Sequence, residues 1–298
     1  MAYKSGFVTI IGRPNVGKST LLNKIIGQKI VITSSKPQTT RKRIKGVYTS
    51  DKGQIVFVDT PGIHKPLHKL GEFLLDEAKL AIPDADLILF LVDGTEEAGA
   101  GDKWIAKNLL QTDLPIIMAI NKVDSIKDIE KRDRIAGSYK NLLGEKPVPT
   151  VKISAKTGRN VDDLIKNIYR KLPKGPQYYS EDEITDQNMK SIAAETIREK
   201  VIRNTKEEVP HSIAVVIDRF EEKPKITSIS ATVFVEHDSQ KGIIIGENGS
   251  MLKQIGTEAR GEIEKLAGTK VFLELFVKVK KNWRKNPSAL KQFGYVAK

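Results

Sequence analysis

"FVTIIGRPNVGKSTLLNKIIG", residues 7 to 27 of this 298-residue chain, carries the pattern from which the fold is read. Its first part, "FVTIIG" (7 to 12), is a short apolar, β-branched run of the kind that forms a buried strand. Its last part, "KSTLLNKIIG" (18 to 27), spaces its apolar residues as a helix does. Between them, "GRPNVGKS" (12 to 19) matches G-x-x-x-x-G-K-[ST] at the strand-to-helix turn that the motif requires. Glycines there let backbone N–H groups point inward at phosphate oxygens. Lys18 reaches the β and γ phosphates, and Ser19 offers a hydroxyl to Mg²⁺. The candidate phosphate-binding residues are therefore Gly12, Arg13, Pro14, Asn15, Val16, Gly17, Lys18, Ser19 and Thr20. Taken alone, the motif serves ATPases and kinases equally well.

Outward from this stretch, "QIVFVDT" (54 to 60), "ADLILFLVDG" (85 to 94), "LPIIMAINK" (114 to 122) and "TVKISA" (150 to 155) repeat the buried-strand pattern, and helical segments such as 102 to 111 and 160 to 172 lie between them. Alternation of this kind predicts an α/β domain over residues 1 to 175, a mainly parallel sheet with helices on both faces. Three strand ends in it carry chemistry. "DTPG" (Asp59, Thr60, Pro61, Gly62) puts Asp59 near the metal, through water, and Gly62 where its N–H senses the γ-phosphate. "NKVD" (Asn121, Lys122, Val123, Asp124) supplies a carboxylate at Asp124 that accepts both N–H groups of the guanine edge, a pair adenine lacks. "SAK" (Ser154, Ala155, Lys156) would give the Ala155 N–H to guanine O6. Guanine is the predicted base.

These four motifs, in this order, resemble the class of GTPases that includes the Era, double-Era and tRNA-modifying families. The resemblance implies a first-switch threonine on Mg²⁺ in the GTP state. Thr39 and Thr40 are the candidates, with Thr40 preferred for its place in "TTR". Asn15 resembles the P-loop asparagine of potassium-activated relatives, which implies K⁺ as a second cation. Ile63 stands where Ras-like proteins place a water-orienting glutamine, so intrinsic hydrolysis is expected to be slow unless another group holds the water.

Around 176 to 188 the alternation gives way to "QYYSEDEITDQN", preceded by "PKGP", and reads as a linker. Residues 189 to 298 then follow a different order: helix, two alternating strands, a second glycine turn, helix, strand and a short helix near 287 to 293. In "IIIGENGSMLKQIG" (243 to 256) an apolar, strand-like run leads through Gly246-Glu247-Asn248-Gly249 into an amphipathic helix. A glycine-rich cap alone explains such a turn. With its neighbours it resembles a KH domain of the bacterial type (type II), which clamps about four nucleotides of single-stranded RNA. Lys241 and Lys253 add charge beside Gly246, Glu247, Asn248 and Gly249, whereas Trp283 reads as a packing anchor.

With one set of guanine motifs and this turn, the chain as a whole resembles the Era family of ribosome-assembly GTPases. A double-Era protein would show two sets. The tRNA-modifying GTPase uses a C-terminal cysteine, and this chain has no cysteine. What the resemblance implies is binding of the 3′ end of small-subunit ribosomal RNA during late maturation of the small ribosomal subunit; GTP or GDP is the expected nucleotide, and a monomer is expected. The alternative is a signalling GTPase whose C-terminal domain binds protein or a membrane surface.

Composition bounds these readings. The net charge of +13 is concentrated in residues 1 to 175, which hold 30 Lys and Arg against 19 Asp and Glu, so the total does not locate an RNA surface. Local clusters say more: 36 to 45 has five basic residues and no acid, and 276 to 298 has seven and none. No apolar run approaches the ~20 residues of a membrane span, and without cysteine neither disulfides nor thiolate metal sites exist. A cytoplasmic address is expected, and the basic tail permits peripheral attachment at the inner face of the cell membrane.

Overall fold

The computed structural model describes residues 3–34, 36, 39–62, 69–144, 148–206 and 209–295. Contacts divide the chain into two units. The first comprises Met1–Val31, Thr40–Lys65 and Leu74–Asp186, and the second Ile32–Thr39, Pro66–Phe73 and Gln187–Lys298.

In chain order the first elements are β1 (Lys4–Ile11), α1 (Lys18–Ile26), β2 (Ile44–Ser50), β3 (Gly53–Asp59), α2 (Lys69–Leu80), β4 (Leu87–Asp93), α3 (Ala100–Leu109), β5 (Ile116–Asn121), α4 (Ile129–Lys140), β6 (Thr150–Lys152) and α5 (Val161–Lys171). Their six-stranded sheet runs β2-β3-β1-β4-β5-β6, with only the β2–β3 pair antiparallel. The β-branched runs form strands because both faces of the sheet are covered. Along β4, Leu87, Leu89 and Leu91 enter one core, while Ile88, Phe90 and Val92 enter the other. That period of two is the strand repeat, and each such side chain contributes roughly 1.5–3 kcal/mol by leaving water.

β2 was not among the expected strands, because "IKGVYTS" mixes polar with apolar residues. It lies at the sheet edge, and edge strands leave backbone groups unpaired. Residues 176 to 186, expected as a linker, meet that need from within the same unit. Val47 N–H donates to Ile184 O at 2.9 Å and Thr185 Oγ1 donates to Lys45 O at 2.8 Å, while the same segment is also held to β3, where the Gln54 side-chain oxygen accepts from the N–H groups of Tyr178 and Tyr179. The contact boundary therefore falls at Asp186.

The second unit contains α6 (Met189–Asn204), α7 (Val209–Ser212), β7 (Ala214–Lys223), β8 (Ile226–Val235), α8 (Asp238–Ile245), α9 (Ser250–Ala267), β9 (Lys270–Val279) and α10 (Pro287–Gln292). Its sheet is β7-β8-β9, antiparallel then parallel. Ile229, Ala231, Val233 and Val235 of β8 share one core with Ile197 and Val201 of α6 and with Ile255, Ala259 and Ile263 of α9. The run before the second glycine turn, which its isoleucines made strand-like, is helical. Gln240 Oε1 accepts from the N–H groups of Glu236 and His237 and starts α8, and Ile244 is buried while Ile243 is half exposed. Burial on one helical face outweighs the β propensity of the run.

Trp283 is fully buried, donates from Nε1 to Ser212 O at 2.8 Å and lies against Phe293 and Tyr295, a packing anchor as read.

Candidate functional site

Parallel strands bring their carboxyl ends together, and the first loop, Asp59, Asp93 and Asn121 all lie at such ends. α1 begins at Gly17, whose φ of 103° is left-handed and whose cap position offers no side-chain hydrogen bond. The N–H groups of its first turn therefore face outward without a side-chain partner, the arrangement that receives an anion. A Cβ on Gly17 would stand 2.3 Å from Asn121 Nδ2, and one on Gly12 would stand 2.3 Å from Leu91 O. Only glycine fits at either place. Gly62 is held in the same way, since its Cβ would come within 2.7 Å of the Pro14 backbone.

Lys18 is buried and donates to the carbonyls of Gly12 (3.1 Å) and Arg13 (3.0 Å). Burial lowers its pKa to about 8, against the pull of Asp59 in the other direction. Burial likewise raises Asp59, with Lys18, Ser19 and Thr40 opposing. Ser19 Oγ donates to Asp59 Oδ2 at 2.8 Å and lies 2.9 Å from Thr40 Oγ1, which is itself 3.2 Å from Asp59 Oδ2. Asp59 Oδ1 is buried and has no hydrogen-bond partner. Three converging oxygen donors with one unsatisfied carboxylate oxygen fit a hard divalent cation such as Mg²⁺. Thr39, the other candidate, instead donates its hydroxyl to Lys36 O at 2.7 Å.

Other expected residues act differently from the simplest reading. The Arg13 side chain turns to Asp102 (2.9 Å) and Glu96 (2.5 Å), which leaves only its backbone for phosphate. Thr60 Oγ1 donates to Ile10 O, and Thr20 lies partly buried on α1. Lys122, at φ 64°, holds its ammonium 2.5 Å from Asp93 Oδ2. Burial pushes Asp93 up, but hydrogen bonds from Lys122 and Thr95 outweigh it and hold the carboxyl below its ordinary range.

Asp124 is exposed and makes no side-chain hydrogen bond or ion pair among the described residues, so its carboxylate is open to a ligand. Ser154 is buried and caps its own loop by accepting from Thr157 N–H, while Lys156 is exposed. The Ala155 N–H, assigned from sequence to guanine O6, donates here to Asn121 Oδ1 at 2.8 Å, and Asn121 Nδ2 donates to Val16 O at 2.8 Å. Asn121 thus ties the phosphate loop to the 154–156 loop, a role the short motif could not reveal because it depends on three separate strand ends. Ile63 lies outside the described residues, as do Pro37 and Gln38 before Thr39.

In the second unit Gly246 (φ 71°), Asn248 (φ 49°) and Gly249 (φ 78°) make a tight turn, and Gly249 caps α9 without a side-chain hydrogen bond. A Cβ on Gly246 would meet Met251 Cβ at 2.7 Å, whereas beside Gly249 there is open space. Glu247, Asn248 and Lys253 are exposed and Lys241 is half-buried. Neither lysine is ion-paired among the described residues. Half-exposed Ile243, missed in the sequence, sets an apolar side chain just before the turn.

Residues 7–122 match the family described as "50S ribosome-binding GTPase", and residues 208–284 match the KH domain family. A Nostoc species has a GTPase Era 53% identical over 98% of this chain and 90% of its own length. The chain belongs to the GTPase Era family. Among solved structures, an Aquifex aeolicus Era variant bound to GDP and AlF4⁻ is 41% identical, with a TM-score of 0.94 over 99% of this chain and 100% of its own. An Era in complex with MgGDPNP and nucleotides 1506 to 1542 of 16S ribosomal RNA matches with the same identity, TM-score and coverage. The expected architecture, a P-loop GTPase domain followed by a KH domain, is that of the Era family. Among the described residues, no helix is long and apolar enough to cross a membrane.

Proposed function

We propose that this Era-family GTPase is a GTP-hydrolysing switch that binds the single-stranded 3′ end of small-subunit ribosomal RNA and acts on the small ribosomal subunit as it matures. The observation that carries the reading is a pair of helices, α1 and α9, each starting at a left-handed glycine with no side-chain cap. Each is a ready anion site of different character. The first lies beside a buried lysine and the second opens to solvent.

At the first, backbone N–H groups of 12 to 20 and the Lys18 ammonium offset charge on the transferred phosphoryl group. Asp124 reads the guanine edge, Asn121 holds the loops in register, and the Gly62 N–H, fixed against Pro14, senses the γ-phosphate. Ser19, Thr40 and Asp59 would hold Mg²⁺, which when bound neutralises phosphate charge. The first switch, with Thr39 and Thr40, is ordered by the γ-phosphate and released on hydrolysis. At the second site Gly246, Glu247, Asn248 and Gly249, with Lys241 and Lys253, hold the RNA backbone.

The finer expectations belong to the same reading: K⁺ at Asn15, a monomer, a cytoplasmic location and peripheral attachment to a membrane surface. Asn15 is exposed at φ 65° on the lip of the phosphate loop, which supports the first of these. Stimulation of hydrolysis by K⁺ and not Na⁺ is expected, and equal rates would remove it. Light scattering tests the monomer, and co-sedimentation with anionic vesicles tests the membrane.

The central experiment is affinity for an RNA copied from the 3′ end of small-subunit ribosomal RNA, measured at fixed salt with GDP and with GDPNP. Tighter binding with GDPNP is expected. Equal, sequence-indifferent binding in both states would overturn the switch.

A further inference from the structure

β9 is an edge strand of the second sheet, and its alternate residues face two environments. Val271, Leu273, Leu275 and Val277 pack into the core with α9. Lys270, Phe272, Glu274, Phe276 and Lys278 form the opposite, exposed row, in which Phe272 is 54% and Phe276 50% accessible. Large rings left this open on a strand ask for an explanation.

Their cross-strand neighbours leave about half of each ring residue open. On the partner strand β8, Phe272 stands opposite Ser228 and Phe276 opposite Thr232, both too short to cover a ring. On the other side lies the sheet edge. By contrast Phe234, on the same sheet face, is covered by Phe293 at 4.8 Å between ring centroids. Among the described residues, one ring of this face is covered and two are left half open.

Charge and spacing indicate the occupant. Glu274 separates the two rings, so they form no continuous apolar patch of the kind that makes the core of a protein interface. Lysines flank them at 270 and 278, and the row runs into Lys280 and Lys281 beyond the strand. Rings about 13 Å apart, four residues along a strand, have lysines at both ends of their row and hydroxyls on β8, with the Glu274 carboxylate between them and Glu221 on β7 neutralised by Arg219. They provide what single-stranded nucleic acid uses, flat faces for bases and cations for phosphates.

We propose that Phe272 and Phe276 form a second RNA contact, stacking on two non-adjacent bases that lie outside the four or so nucleotides held at the glycine turn. This rests on the RNA reading above and extends it to the other face of the sheet.

The test uses the full chain, two RNAs and fixed salt. One RNA is a short single strand from the 3′ end of 16S ribosomal RNA, and the other spans nucleotides 1506 to 1542. The paired variant Phe272→Leu/Phe276→Leu keeps apolar bulk but removes stacking, while Phe272→Tyr/Phe276→Tyr keeps both. The leucine pair is expected to weaken binding of the longer RNA by about fivefold or more per ring, to leave the short RNA unaffected, and to be rescued by the tyrosine pair. Wild-type affinity of the leucine pair for the longer RNA overturns the proposal, as does an equal loss on both RNAs accompanied by a lowered melting temperature. If the wild-type chain binds neither RNA, the parent reading falls and this contact falls with it. If wild type binds both and only the ring variants are neutral, the parent reading stands and this one fails.

Discussion

The two glycine turns solve one problem in opposite ways. Both end in a left-handed glycine that starts a helix without a side-chain cap, at φ 103° for Gly17 and 78° for Gly249. Around Gly17 the space is closed: Asn121 stands where a Cβ would go, and Lys18 is buried beneath. Around Gly249 the space is open and the lysines are at or near the surface. A closed cradle suits a small, highly charged ligand that must be oriented to a fraction of an ångström. An open one suits a polymer that enters and leaves along its length.

The sharpest break of this comparison is in selectivity. Replacing Asp124→Asn should exchange guanosine for xanthosine nucleotides, a change of about 10⁴-fold in relative affinity. Competition binding checks it, and unchanged guanine preference would remove the base-reading role. Next comes Lys18→Ala, expected to weaken GTP by about a hundredfold or more. A nucleotide titration that found affinity retained would contradict the cradle.

At the open turn, Glu247→Asp with Asn248→Asp keeps one carboxylate and adds a second facing RNA phosphate. About a tenfold loss of RNA affinity is expected, smaller because the site is solvated. Loss of GTP binding in the same variant would mean that the turn is structural. The glycines themselves sharpen the contrast. Gly249→Ala meets only the left-handed backbone cost of about 1–2 kcal/mol, while Gly17→Ala adds the clash with Asn121 and should destabilise more in thermal melts.

The smallest effect is in protons. With a pKa of about 8 against 10.5 in its ordinary state, Lys18 in the nucleotide-free protein holds fewer protons than the unfolded chain between those values. Its contribution therefore makes the nucleotide-free fold more stable as pH rises from about 8 to 10.5. Phosphate favours the charged form, so GTP binding near pH 9 should take up a proton that it does not take up at pH 7. Calorimetry in buffers of different ionisation enthalpy reads the difference.

How much of this was legible in the chain follows from where each constraint resides. The phosphate loop, "DTPG", "NKVD" and the second glycine turn are local demands of backbone on residue type, and they stand in the sequence as short patterns. The α/β alternation was legible because buried parallel strands are continuous apolar runs. What was hidden depends on partners distant in sequence. The helix α8 reads as a strand until Gln240 and the buried Ile244 decide it. Residues 176 to 186 read as a linker because nothing local announces that the β2 edge needs them. The Arg13 side chain, turned to Asp102, could not be told from a phosphate ligand, since both roles need only an arginine. Ile243, Phe272 and Phe276 look like ordinary core residues until their exposure is known.

Asn121 carries one more consequence. Its amide nitrogen donates to Val16 O in the 12–19 loop, proposed for the phosphates, and its amide oxygen accepts from Ala155 N–H in the 154–156 loop, proposed for the base. A nucleotide bound as proposed would thus not be recognised by two independent detectors whose signals add. A single amide joins them like a keystone between two arches, so disturbing either arch loosens the other. Variants at this position should lose base choice and phosphate grip together, as one phenotype, however the nucleotide is varied.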